Sequence, residues 1–367
     1  MLRLAARAAS ALVLSSALAL AAAVPALADP PVPIPVPPPA ATDLVGVGAQ
    51  ATESLFNQFS TDYNAALTSA GDTTSPRLYS WDTSGATSIT PKTGAGTIFR
   101  PYNSNTGITA LNAYGTGTTD FARSARGPKT GDPATTLFLA MARDAVGWAA
   151  PAGGNAPANL TTAQLRGIYT CTITNWRQIS SALPDATIRP VIAGRVIVDR
   201  FGVDGAPADS SGFLLQAIDY YPTVWGDGWT DHSCVSTVER ENQGTDAVLH
   251  DPNAIVPYSV GRYVGQVYGG HTRPGDEPGA LTVRNLNGLA PVTAGLQINP
   301  AYAASPYGRI LYNTVREAEW TGTDAHAVAL RAVFGRDGWI CRSGVPQIRS
   351  HGFLQLPGAA CGSSVHV

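Results

Sequence analysis

Leu44 to Ala49 reads as a short apolar run that enters glycine, the pattern of a buried strand ending in a turn. Behind it Leu55, Phe59, Tyr63 and Ala66 recur at spacings of four, four and three, which predicts one apolar helix face starting near Thr52. Arg77–Trp81 and Thr97–Tyr102 read as two further strands. The second breaks into Asn103-Ser104-Asn105-Thr106-Gly107 before a helical stretch over Ile108–Tyr114, and Thr119–Ala122 is a short extended piece. This first region therefore repeats one design of strand, polar turn and helix, which predicts an α/β sheet. In such sheets ligands sit outside the carboxyl ends of the strands, where each of these polar turns falls.

The same alternation continues. Ala145–Ala150 is an apolar strand, and Thr161 with Gln164 forms a capping-box pattern at a helix start. Ile188–Val198 is a strand, Asp199–Ser211 an irregular loop, and Phe213–Ile218 a helix. Ala254–Tyr258 is a second apolar crossing segment, followed by helix over Val260–Tyr268 and mixed strand and helix over Arg309–Phe334. No internal repeat is visible. A chain of 367 residues exceeds what one core usually takes, so two lobes are expected.

The N-terminus changes the compartment expected. Arg3 and Arg7 precede an apolar run from Ala11 to Val24 and a small-x-small site at Ala26-Leu27-Ala28, the plan of a cleaved secretory leader. The prolines of 30–39 then fix φ and remove donors, which makes that stretch an extended tether. Four cysteines, Cys171, Cys234, Cys341 and Cys361, suit two disulfides in an oxidising compartment. Three pairings are possible. Cys171–Cys234 with Cys341–Cys361 is favoured, because each then closes a loop within one region. The net charge of −2 and the absence of a basic run argue against nucleic acid and anionic membrane surfaces as partners.

Candidate chemistry points to anions rather than to catalysis. Gly46-x-Gly48-x-x-Ala51 lacks the acidic residue that a dinucleotide fold needs further on, but a glycine turn entering a helix start still presents backbone N–H groups to an anion. It serves equally as a tight packing turn. Ser104 stands before a helix, where it can cap or bind. Arg123-Ser124-Ala125-Arg126 sets two guanidinium groups beside a hydroxyl, a match for planar oxyanions, although two such arginines can also be solvated charges. No GxSxG, HExxH or metal-spaced histidine pair occurs, and Asp199, Asp204 and Asp209 fit a polar surface loop better than a calcium loop. Neither an enzyme nor a cofactor nor a metal site is expected.

These turns together resemble a known family. Gly46 to Thr52, Ser104 to Gly107 and Asp120 to Ser124 are similar to the ligand turns of phosphate-type ABC-transporter substrate-binding proteins. Leu160 to Tyr169 followed by Ile173-Thr174-Asn175-Trp176 is the most specific match, and Glu241 to Thr245 with Ala254 to Ser259 extends the likeness over most of residues 43–270. It is especially close to secreted actinobacterial members. The resemblance implies an α/β, two-lobed periplasmic-binding-protein type II architecture with two interlobe crossings. Its expected parts are a leader over 1–28, a linker over 29–42, a first lobe over 43–145 and 259–367, and a second lobe over 146–258.

Carried over by position, the ligand set implied is Gln50, Ala51, Thr52, Ser104, Asn105, Arg123, Ser124 and Arg126 from the first lobe, with Arg200, Ser210, Ser211 and Gly212 from the second. The chain departs from the family where Gln50 replaces a hydroxyl, and where Ala125 stands in place of the aspartate that accepts a proton from hydrogen phosphate. It also has no N-terminal cysteine for a lipid anchor. The implied function is an exported, monomeric binder of a small inorganic oxyanion, phosphate above all, with an ABC permease as partner. Two rivals remain: a surface or matrix protein that keeps the fold without the ligand, and a secreted hydrolase on the same scaffold.

Overall fold

The computed structural model describes residues 38–115, 117–199, 202–220 and 233–366, with the side chains of 195–199 and 202–206 outside the description. The expected leader, most of the proline-rich tether and Arg200 therefore lie outside the described residues. The tether's last residues do not: Pro39 is buried and its carbonyl accepts from Thr93 N at 2.8 Å, so packing begins before position 43.

The principal elements of the first lobe are β1 (Leu44–Gly48), α1 (Glu53–Ser69), β2 (Leu78–Ser80), α2 (Ser104–Tyr114), β3 (Phe121–Ser124) and the long β4 (Thr136–Pro151). Then come α3 (Thr162–Tyr169), β5 (Arg189–Asp199), β6 (Gly202–Pro207), α4 (Asp209–Ala217), β7 (Ser236–Val238), β8 (Ala254–Ser259), α5 (Val260–Val267), β9 (Leu281–Val283), β10 (Gly308–Arg316) and α6 (Ala325–Phe334). The main sheet runs in the order β7-β5-β8-β4-β10-β3-β1-β2. β1 pairs parallel with both β2 and β3, and β8 and β7 pair parallel with β5, while β4 is antiparallel to β10 and β8.

β4 belongs to both lobes. Its first part pairs β10, and Leu137, Leu139 and Met141 join Phe56, Phe59, Phe121, Leu311 and Leu330 in the first lobe's core. Its last part pairs β8, and Val146, Trp148 and Ala150 face Leu165, Tyr169, Trp176 and Leu214, while Ala149 faces the opposite side with Val191 and Tyr258. That period of two is what a strand buried on both faces produces. The chain crosses along β4 and returns from β8 into α5 at Ser259.

Residues 281–307 reach back to the far end of β4: β9 pairs with it, and Leu286, Ile298, Tyr302, Ala303 and Tyr307 cluster with Val146, Trp148 and Ala150. Within the stretch read as an irregular loop over 199–211, Asp199 ends β5, Gly202–Pro207 is β6 paired antiparallel with it, and α4 starts at Asp209. The capping box at Thr161 and Gln164 is present, with Gln164 N donating to Thr161 Oγ1 at 3.2 Å and Thr161 N to Gln164 Oε1 at 2.8 Å. Disulfides join Cys171 to Cys234 and Cys341 to Cys361, the favoured pairing.

Candidate functional site

Two glycines bring the first lobe's turns together. Gly48 has φ +109°, and a Cβ added at Gly107 would lie 2.7 Å from Gly48 Cα, so α2 can rest on the end of β1 only because both positions lack side chains. Asn103 caps α2 by accepting from Thr106 N at 2.9 Å, which leaves Ser104 in the first turn with its amide directed outward from the helix. Ser104 Oγ accepts from Ala125 N at 2.8 Å and ties α2 to the end of β3.

The outward amide of Ser104 meets α4 of the second lobe. Ser104 N donates to both carboxylate oxygens of Asp209, at 3.2 and 3.1 Å. One residue on, Ser210 N in the first turn of α4 donates to Glu241 Oε2 at 2.6 Å, and Ser210 Oγ accepts from Arg309 Nη2 at 3.1 Å. Glu241 N in turn donates to Gln50 Oε1 of the first lobe at 3.0 Å. The starts of α2 and α4 therefore face one another across the junction, and each amide is met by a carboxylate. Unpaired amides and the positive dipole end favour negative oxygen at a helix start.

The surrounding charges are buried. Arg309, on β10, forms a close pair with Asp144 of β4, with Nη2 to Oδ2 at 2.8 Å, and its guanidinium lies 5.6 Å from the Phe213 ring. Asp144 also accepts from Ser259 Oγ and from Gly261 N at the start of α5. Burial, followed by the negative charge of Asp209, pushes the Glu241 carboxyl up to about 7, against the pull of Arg309. Burial likewise raises Asp209, opposed by its hydrogen bonds to Ser104 and by Arg309. Two carboxyls this close cannot both ionise cheaply, and they titrate as a pair. The buried polar atoms here with no partner among the described residues include Arg309 Nη1, Glu241 Oε1 and Thr52 Oγ1.

The expected site residues divide. Gln50, Ser104 and Ser210 lie at the junction, and Thr52 is buried in the 3-10 turn Gln50–Thr52 that contacts α4. Arg123, expected to hold an anion, instead directs its donors inward to Ala49 O at 3.1 Å, Gly48 O at 2.8 Å, Trp81 O at 2.9 Å and the Ser80 hydroxyl. It is wholly buried and holds the β1 turn in shape. Arg126 is engaged by both oxygens of Asp132, at 2.6 and 2.7 Å, and by Asn105 Oδ1 at 2.8 Å. Ser124 Oγ donates to Arg126 O, and Ser211 Oγ accepts from Ala193 N within the second lobe. Ala51 packs in the first lobe's core, and Gly212 N closes the first turn of α4 on Ala208 O.

The sequence reading missed Asp209, Glu241, Arg309 and Asp144. Ala125, whose amide donates to Ser104 Oγ, brings no carboxylate to the start of α2, and Asp209 brings one there from the opposite lobe. His271 and His351 also come together, stacked at 3.5 Å, with burial pushing His351 down to about 3. No group of three or more His, Cys, Asp or Glu side chains suited to a metal ion occurs among the described residues.

Glu241 gives a pH prediction. Its folded-state value of about 7 lies above the unfolded value near 4.5, so the folded form holds the proton more tightly. The stabilisation is present in full below about pH 4.5 and is lost as pH rises to about 7. Glu241→Gln removes this titration. Its melting temperature relative to the parent should therefore rise by a few degrees between pH 5 and pH 8, and an unchanged difference across that range would show that Glu241 ionises freely.

Among known proteins, the PBP superfamily domain matches residues 36–195. No curated protein matches in sequence. Solved structures do match in fold. An ABC-type phosphate transport receptor from Vibrio cholerae is 16% identical, with a TM-score of 0.55, over 86% of this chain and 100% of that one. A putative phosphate ABC transporter substrate-binding protein from Clostridium perfringens, solved with bound phosphate, is 12% identical with a TM-score of 0.56, over 86% and 100%. A phosphate-binding protein from Stenotrophomonas maltophilia is 14% identical with a TM-score of 0.50, over 86% and 91%. The domain match over residues 36–195 and the two-lobed sheet with its shared β4 agree: the chain carries a match to the PBP superfamily domain and has the fold of phosphate-type ABC-transporter substrate-binding proteins.

Proposed function

We propose that the protein is an exported solute-binding protein, without catalytic activity, that closes its two lobes on a small oxyanion, with phosphate the first ligand to test. The observation that carries this is the pair of opposed helix starts: Ser104 N and Ser210 N come from different lobes, and both already hold carboxylate oxygen. A site that accommodates carboxylate oxygen at two converging amides, with the Arg309 guanidinium beside them, has the donor chemistry of an oxyanion site. With its carboxyl pushed up to about 7, Glu241 carries a proton in part at neutral pH and can then add a hydroxyl donor. An ABC permease as recipient follows from the fold's relatives, and export from the leader pattern.

Calorimetric titration with phosphate and sulfate tests the proposal, alongside melting curves over a panel of anions. Ligand at 100 times its dissociation constant should raise stability by about 2.7 kcal/mol. Absence of heat and of any melting shift across the panel would refute it. The second reading, a protein that keeps the fold without a ligand, draws on the same contacts: the amides an oxyanion needs are met by Asp209 and Glu241. It predicts that flat result.

A further inference from the structure

The contact between Ser104 and Asp209 joins the two lobes in the way a bound anion would. Ser104 belongs to α2 of the first lobe and Asp209 opens α4 of the second, so this bidentate contact exists only while the lobes are together. The carboxylate places its oxygens on the amide that an external oxyanion would use. Neighbouring contacts close the same seam, with Glu241 N on Gln50 Oε1 and Arg240 Nη2 on Glu53 Oε1 at 3.3 Å.

A second feature marks this seam as more than a packed helix start. Arg309 and Glu241 are 5% and 1% exposed, both converge on the first turn of α4 through Ser210, and each has a second head-group atom with no partner among the described residues. Thr52 Oγ1, on the turn packed against α4, is buried in the same condition. Buried donors and acceptors are normally paired, so an unmatched guanidinium N–H, carboxyl oxygen and hydroxyl at one seam indicate a position shaped for a further polar group.

We propose, resting on the oxyanion reading above, that Asp209 is an internal ligand: its carboxylate occupies the amide of Ser104, holds the lobes together, and sets the affinity for an external oxyanion that must displace it. Asp209 is then the specificity-determining residue of the cleft. Phosphate entering the seam loses the Ser104 amide to a resident competitor and also meets its negative charge. Both effects weaken binding, and both disappear with the carboxylate.

The test compares inorganic phosphate binding by calorimetry in the parent, Asp209→Ser and Asp209→Asn, with small-angle scattering of each protein before and after phosphate. Asp209→Ser vacates the amide, and its affinity should rise tenfold or more. Its radius of gyration without phosphate should exceed the parent's and return to it on saturation. Asp209→Asn keeps the shape and an acceptor for Ser104 but removes the charge, so it should show a smaller rise, and it decides the matter if Asp209→Ser does not fold. Parent protein that binds phosphate while the folded variants bind it no more tightly overturns the internal-ligand role and leaves the oxyanion reading standing. Folded proteins none of which binds phosphate overturn the oxyanion reading, and this proposal with it.

Discussion

Replacing Arg309 by alanine should lower unfolding stability by roughly 3–5 kcal/mol, the usual cost of breaking a buried ion pair from one side. Asp144 is 0% exposed and would be left in the protein interior without its cation, with only Ser259 Oγ and Gly261 N donating to it. The damage should extend beyond the pair. Asp144 fixes the start of α5, and Arg309 donates to Ser210 in the first turn of α4, so both helices at the lobe junction lose an anchor. Urea unfolding of the purified variant gives the number. Combining Arg309→Leu with Asp144→Asn should recover much of the loss, because a neutral amide can still accept from Gly261 and the buried Asp144 charge is gone with its partner. A loss below about 1 kcal/mol would mean that the pair is solvated.

Arg123→Ala should be nearly as costly, about 3 kcal/mol or more. Its guanidinium meets three main-chain carbonyls, those of Gly48, Ala49 and Trp81, around the β1 turn. Losing it leaves these buried acceptors unmatched, at about 1–3 kcal/mol for each that stays unpaired. The gain from no longer burying a charge offsets part of this, since burial lowers Arg123 to about 10. Lysine keeps the charge but not the planar fork, so Arg123→Lys should rescue little. An Arg123 that served the ligand alone would give a stable variant with weakened anion binding. The framework role predicts an unstable one.

These two residues show what the sequence can and cannot reveal. Local signals were legible because neighbours along the chain produce them: the four-four-three spacing of Leu55, Phe59, Tyr63 and Ala66 marks α1, and Thr161 with Gln164 marks the start of α3. Arg123 was correctly placed at the end of a strand, but which way its guanidinium turns depends on Gly48 and Trp81, far away in the chain. Asp209 accepts from a residue 105 positions earlier, and Arg309 bonds one 99 positions earlier. Nothing in spacing announces either contact. Asp209 reads as one of a polar run with Asp199 and Asp204, and only the start of α4 at Asp209 sets it apart from the two on the strands. The packing of 281–307 is hidden for a related reason: Leu286, Ile298 and Tyr302 are apolar wherever they pack, and only the pairing of β9 with β4 brings them to that strand's far end.

In the function proposed above, two helix starts from opposite lobes serve one anion. Titrating isotope-labelled protein with phosphate, while following the backbone amide resonances of Ser104 and Ser210, addresses it most directly. Both resonances should shift and saturate along a single binding curve. Resonances that stay in place while phosphate is bound elsewhere, or that follow two separate curves, would contradict it.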